Sequence, residues 1–333
     1  MADAVGTEVL IVGAGMTGLT AALALAEAGK RVLVVDKGRG VGGRLATRRI
    51  GTAVLDHGAQ FFTVRSKAFA DAVSMWETDG IVSVWANGFD PDQTDGHPRF
   101  RTEGGMSQLA KHLAAACIRA GAEVVLNQRV DAIIDTGDGI TATYEGGSRL
   151  PDEAAAALLT APVPQAVELL RAGGAPVPDD ALLMTYSPVI AVLMTTDDDA
   201  GEVVGPLGAR QQPLDPMFTF IADNQRKGIS PQTALTFHVE SALSAALWDL
   251  GHDEILHRLQ PEFDRVLGSV KPVQIQVKKW RYATPRSSHD DLFLPIGGTS
   301  VPVVLAGDGF GEAKVEGAFL SGRAVAERIL RLI

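Results

Sequence analysis

The sequence predicts an α/β fold: a parallel sheet flanked by helices, built from the two ends of the chain, with an inserted α+β segment carrying a mixed or antiparallel sheet. Three observations lead there. The chain opens on a strand, a glycine turn and a helix, Val9-Leu10-Ile11-Val12-Gly13-Ala14-Gly15-Met16-Thr17-Gly18. It closes on a second such set, Val303-Val304-Leu305-Ala306-Gly307-Asp308-Gly309 and then Val315-Glu316-Gly317-Ala318. Between roughly 165 and 294 the texture shifts to strands with few helices between them.

Taken in order, residues 9–12 are an apolar run suited to a buried parallel strand. Gly13 permits the tight turn, Gly15 lets backbone approach a pyrophosphate, and Gly18 lets the helix, about 17 to 28, pack close to the strand. That helix aims its free N–H groups at the phosphates. A second strand over 31–35 ends in Asp36, roughly 20 residues past the first glycine, where a ribose-binding carboxylate belongs. This is a Rossmann-type dinucleotide unit with the GxGxxG pattern. A glycine-rich stretch, 37–44, follows, then a strand-like run Asp56-His57-Gly58-Ala59-Gln60-Phe61-Phe62. A helix is expected over 67–78 with Phe69, Val73 and Trp76 on one face, and a loop over 86–99. A helix over 106–120, strands at 124–126, 130–134 and 140–144, and a buried strand over 155–160 come next. A short helix, 163–170, leads into the altered region, with strands near 186–195, 217–222, 234–239 and 272–279 and a helix near 252–267. The final helix carries Val315, Ala318, Phe319, Val325, Ala326, Ile329 and Ile333 on one face, so the last strand and helix complete the first sheet. The expected division is therefore a discontinuous cofactor domain, 1–65, 103–165 and 295–333, and a substrate domain, 66–102 and 166–294.

Of the 333 residues 46% are apolar and 21% charged, the balance of an ordered globular protein. A net charge of −10 argues against nucleic acid or an anionic membrane as partner. The single cysteine, Cys117, excludes a disulfide within the chain, suits a cytoplasmic setting, and reads as a small buried hydrophobe in an alanine-rich helix. The histidines have no HxxxH or HExxH spacing, and no metal is expected. The opening segment reads as strand and helix rather than as a secretory signal, and no apolar run reaches the length of a membrane span. Asp197-Asp198-Asp199 reads as a solvated turn.

Asp36-Lys37 with Gly42-Gly43-Arg44 and Thr47, then Gly58-Ala59-Gln60, and later Gly307-Asp308 with the Glu316-Gly317-Ala318 helix, resemble the flavin-containing amine oxidase superfamily. Asp223-Asn224, His238, Lys279-Trp280-Arg281 and Gly307-Asp308-Gly309-Phe310 resemble, within it, the renalase family. The resemblance implies non-covalent FAD. Gly13, Gly15 and Gly18 would line its pyrophosphate, Asp36 would bind the adenosine ribose, Arg44 would lie near the diphosphate, Val130 would offer backbone to the adenine, and Asp308 would reach the ribityl chain. Val315, Glu316, Gly317 and Ala318 would bring a helix N-terminus to the pyrimidine edge, where its dipole favours the negative charge of the reduced ring. Met16, Thr17, Lys37, Gly43, Gly58, Ala59, Gln60, Phe61, Thr160 and Pro162 complete the expected cofactor contacts.

The resemblance also implies a reaction: hydride transfer from 2- or 6-dihydro isomers of NADH or NADPH to the flavin, whose electrons pass to O2 to give H2O2 and NAD(P)+. Gln60, Phe62, Asn224, His238, Trp280 and Arg281 are the candidates for the substrate pocket. His238 and Trp280 are equally readable as core residues, Asn224 as a turn residue and Arg281 as a surface cation. Amine oxidases of the superfamily frame the amine between aromatic rings, and the position of one of them is Lys314 here, which would repel an ammonium. An amine oxidase, another oxidoreductase of the superfamily such as a desaturase, and a non-catalytic member that binds a partner protein are the alternatives.

Overall fold

The computed structural model describes residues 6–89, 97–211 and 217–333. It divides into two compact units, 1–43 with 109–185 and 285–333, and 44–108 with 186–284. These limits differ from the expected ones. Residues 44–65 and 103–108 belong with the second unit, and 166–185 and 285–294 with the first. The reason is that the hairpin Thr47–Ile50/Ala53–Asp56 packs on the strand Ala234–Val239, a partner too distant in sequence to be read from local pattern. Residues 90–96 of the loop expected over 86–99 lie outside the described residues.

The first unit is built on a six-stranded sheet in the order Phe293–Ile296, Val303–Ala306, Ala156–Leu159, Val9–Val12, Val32–Val35, Glu123–Val125. All pairs are parallel except the first, which is antiparallel. The four central strands are buried on both faces, which is why they read as unbroken apolar runs. Helix Met16–Glu27 lies against the closing helix Lys314–Leu330, and Thr17 Oγ1 donates to Ala318 O at 2.9 Å. Lys30 Nζ reaches Ile333 O at 3.1 Å, so the two ends of the chain do meet. Of the three short strands after the helix Ser107–Arg119, the first joins the edge of this sheet, and Val130–Asp135 and Ile140–Tyr144 form a separate hairpin. Cys117 is buried in that helix, donates to Leu19 O at 3.3 Å, and its thiol is pushed up to about 12 by burial.

The second unit is built on a five-stranded sheet in the order Ala209–Gln211, Phe218–Asp223, Ala234–Val239, Tyr186–Thr196, Pro272–Pro285. The pairings of the first four strands are antiparallel. Helix His252–Leu267 covers one face with Ile255, Leu259, Phe263 and Leu267, at the spacing of one helical stripe, and at its centre Phe263 stacks on Phe218 and meets Phe237 edge to face. Helix Lys67–Thr78 buries Phe69, Val73 and Trp76 as expected, and Ser66 caps it by accepting from Phe69 N. The strand-like run 56–62 stops being a strand at Asp56. From there the chain turns, and Phe62 rejoins by a bridge to Phe100.

Candidate functional site

Two groups of polar residues stand out, one in each unit. In the first unit, the turn after Val12 is held by Thr160 Oγ1, which donates to Val12 O and Gly13 O at 3.1 and 3.0 Å. A Cβ at Gly18 would overlap the carbonyl oxygen of Gly13, so the helix can follow the strand this closely only with glycine there. Gly15 faces open space, and no side chain caps the helix that begins at Met16, so its first N–H groups and positive dipole end remain for a ligand. Asp36 Oδ2 accepts from Ala14 N at 2.7 Å and Oδ1 from Gly38 N at 2.6 Å. Each oxygen keeps a lone pair for a ribose hydroxyl. Gly43 lies beside Gly15, and Gly42 N donates to Ala14 O at 2.7 Å. Lys37 reaches Gln165 Oε1, Val130 is buried at the start of its hairpin, and Pro162 is the N-cap of the helix Val163–Ala172.

At the same, carboxyl end of this parallel sheet, past the strand Val303–Ala306, Ser321 Oγ accepts from Gly307 N at 2.8 Å, and Asp308 is buried. The helix from Lys314 begins without a side-chain cap, and Val315, Glu316 and Gly317 are buried in its first turn. Lys314 itself is exposed at φ 86°, in the left-handed region a side chain rarely adopts. An open glycine, two uncapped helix starts and a half-free carboxylate fit the anionic diphosphate and ribose of a dinucleotide.

In the second unit the polar group is made of side chains. Lys227 and Asp56 are wholly buried and paired at 2.6 Å. Lys227 Nζ also donates to Gln60 O at 2.5 Å and stands 5.1 Å from the Trp85 ring. Asp56 Oδ1 accepts from Thr47 Oγ1 at 2.5 Å and Met106 N at 2.8 Å. Burial draws the Lys227 ammonium below its ordinary range, against the pull of Asp56. Asn224 is fully buried and its amide is committed. Nδ2 donates to Ala234 O and Thr236 Oγ1, and Oδ1 accepts from Asp56 N. Gln60 Nε2 donates to Asp56 O at 2.8 Å and lies 3.4 Å from His238 Nε2. Its Oε1 is buried without a partner, as is His57 Nδ1. His57 stacks on Trp280, with centroids 5.2 Å apart at 22°, and its carbonyl accepts from Trp280 Nε1 at 2.7 Å.

Alternation along the strands decides which residues belong here. His238 shares the face of Thr236, opposite Leu235, Phe237 and Val239, which fill the core. Lys278 and Trp280 share one face of Pro272–Pro285. Lys279 and Arg281 take the other, where Lys279 Nζ donates to Trp248 O and Leu250 O and Arg281 lies 4.9 Å from the Trp248 ring. Arg281 is therefore not brought to the cluster. Phe61 and Phe62 diverge, Phe61 toward Phe89 and Phe220, Phe62 toward Phe69 and Phe100. A Cβ at Gly58 would overlap the carbonyl oxygen of Arg44, which also accepts from Ala59 N at 2.8 Å. Arg44 Nη1 donates to Tyr282 O and Ala283 O, both at 3.3 Å, so it ties this turn to the long strand.

Both imidazoles of the cluster are depressed to about 4. For His57 the causes are burial, then the charges of Lys278 and Arg48; for His238, burial, then His57. Both are neutral at physiological pH. Sequence reasoning does not single out Asp56, His57, Lys227, Lys278 or Arg48 as site residues, and no local spacing marks Lys227 as the partner of an aspartate on another hairpin. The acidic run is a structural turn, with Asp198 accepting from Lys271 N and Asp199 paired to Arg226. Among the described residues no helix is long and apolar enough to cross a membrane.

The model of the family described as flavin containing amine oxidoreductase matches residues 82–330, and that of the NAD(P)-binding Rossmann-like domain matches residues 11–76. The chain belongs to the flavin-containing amine oxidoreductase family. It is an FAD-dependent oxidoreductase, and its cofactor is FAD, as the resemblance of the glycine turn together with the later Gly307-Asp308 and Glu316 segments implies. Among solved structures it is similar to a putrescine oxidase bound to putrescine, with a TM-score of 0.73 and 18% identity over 98% of this chain and 99% of that one. A protein named as a putative protoporphyrinogen oxidase from Exiguobacterium sp. 255-15 is similar at a TM-score of 0.73 and 15% identity over 98% and 99% of the two chains. An oxidoreductase from Methanosarcina mazei is similar at 0.67 and 14% over 96% and 100%. These likenesses concern the fold.

Proposed function

We propose that this protein is a renalase-like oxidase that converts 2- or 6-dihydro isomers of NADH or NADPH to NAD(P)+, with O2 reduced to H2O2. FAD, when bound, supplies the two-electron acceptor that takes the hydride. The observation that carries the reading is the uncharged, flat cluster of His57, Gln60, His238 and Trp280. An amine reaches an enzyme as an ammonium ion and must shed a proton before it is oxidised. Two imidazoles depressed to about 4 are weak bases for that task, and the carboxylate of Asp56 is held by Lys227. A dihydropyridine ring gives up hydride with no proton abstracted, so the protein has only to hold the ring flat and in place. The His57–Trp280 stack suits that, and the unpartnered Gln60 Oε1 suits the amide N–H of a carboxamide. Asn224, Asp56 and Lys227 hold the turn that carries Gln60. Lys314, exposed at a positive φ, is the position at which the resemblance places an aromatic cage residue of amine oxidases, and a lysine there speaks against the amine oxidase alternative.

Anaerobic mixing of the FAD-loaded protein with aged NADH containing the dihydro isomers, beside benzylamine and ordinary NADH, tests this. Rapid bleaching of the flavin's visible band by the isomers alone is expected. Bleaching by the amine alone overturns the reading.

A further inference from the structure

The protein carries ten more negative than positive charges, yet several cations of the second unit, Lys278 and Arg48 among them, meet no carboxylate among the described residues. Lys278 lies half-buried on the Trp280 face of the strand Pro272–Pro285. Its neighbours on the opposite face are engaged, Lys279 by two carbonyls and Arg281 by an indole. Arg48 is exposed on the strand Thr47–Ile50, opposite Leu55 and so beside the chain leading into His57. Arg44 is bonded to Tyr282 O and Ala283 O, and His57 stacks on Trp280, so this hairpin is tied to the long strand at both points. Burial and the charge of Arg48 both hold the Lys278 ammonium below its ordinary range, and both cations depress His57. Two like charges held together without a counter-ion cost stability, and an arriving dianion relieves that cost. Exposure also grades outward, from buried Gln60 through the half-buried His57 and Trp280 to exposed Arg48.

We propose that Arg48 and Lys278 form a phosphate-binding pair at the outer end of the His57–Trp280 stack, and that they hold a phosphate of the substrate while its ring lies toward Gln60. The assignment rests on the dihydronicotinamide reading and deepens it: the phosphate of the nucleotide, and not its ring alone, is held by the protein, and a riboside with the same ring lacks the group these cations hold.

The test uses FAD-loaded protein, wild type and the double variant Arg48→Gln/Lys278→Gln, with calorimetric titration of nicotinamide mononucleotide, nicotinamide riboside and inorganic pyrophosphate. The wild type should bind the mononucleotide about tenfold or more tighter than the riboside, and the double variant should narrow that ratio to within about twofold. Pyrophosphate affinity should fall at least about fivefold in the variant. Equal binding of riboside and mononucleotide by the wild type, equal weakening of both by the variant, or pyrophosphate affinity unchanged by it overturns the pair. If the isomers bleach the flavin and the ratio is unity, the pair fails while the reaction stands. If the isomers do not bleach it but pyrophosphate binding is lost in the variant, the reaction fails and the anion site stands. Both substitutions are at partly or fully exposed cations, and an unchanged melting temperature shows that the variant is folded.

Discussion

The polar centres of the two units are made in opposite ways. The glycine turn of the first unit is built from backbone: N–H groups at a helix start, a carbonyl-held turn, and one carboxylate whose bonds go to Ala14 N and Gly38 N. The cluster of the second unit is built from side chains that come from separate stretches of chain, with Asp56 and Lys227 171 residues apart and Gln60 and His238 178 apart. A backbone site tolerates many side chains and almost no added Cβ. A side-chain site tolerates backbone adjustment and almost no loss of a partner. The two should therefore fail differently when altered, and substitutions in each can break or sharpen that contrast.

The largest effect is expected at Gly18. Gly18→Ala sets a methyl against the Gly13 carbonyl oxygen, so the turn must open, and the purified protein should lose most of its FAD, measured by its visible absorbance. A variant that keeps full flavin would show that the turn is less rigid than its geometry. Next comes Lys227→Met, which leaves the Asp56 carboxylate buried and alone. It should cost about 3–5 kcal/mol in urea unfolding, and Asp56→Asn on top of it should restore part of the loss. If the single variant loses FAD and keeps its stability, the contrast between the centres fails.

The imidazoles give a pH signature of the second centre alone. His57 and His238 stay neutral in the folded protein down to about 4, while the unfolded chain takes up those protons at the ordinary imidazole value of 6.5. The unfolded state thus binds more protons between those limits, so their stabilising contribution is complete above pH 6.5 and is lost as pH falls toward 4. Unfolding midpoints should drop over this window, and less steeply in His238→Gln. Trp280→Phe keeps the stack on His57 and removes the bond to its carbonyl, for a loss of about 1 kcal/mol. Arg281→Ala is the smallest change, about 0.5 kcal/mol from its stack on Trp248, with flavin reduction unaltered because Arg281 lies on the other face of the strand.

The same contrast explains which features are legible in the amino-acid sequence. The parallel sheet, its closure by the last strand and helix, and the glycine turn with Asp36 can be read there because each depends on residues close in sequence or on a periodic apolar face. Gln60, His238 and Trp280 are found by resemblance, and the fold gathers them. Adjacency groups Arg281 with Trp280, although a strand sends adjacent side chains to opposite faces. Lys227 escapes notice because nothing about a lysine in a turn announces that it will be buried against an aspartate from a distant hairpin. The boundary at 43–44 is hidden for the same reason, since the hairpin that follows packs on a strand far along the chain, Ala234–Val239.

Cys117 bears on the chemistry from outside either centre. With its thiol held at about 12, almost none of it is thiolate at neutral pH, and the sulfur is sealed beneath the first helix. Peroxide from the proposed reaction would thus meet no reactive sulfur nucleophile in this chain, and sulfenic acid formation would have nowhere to begin. The same silence makes the chain a blank background for labelling: a cysteine introduced at an exposed position would be the one thiol that a maleimide probe could find in the folded protein.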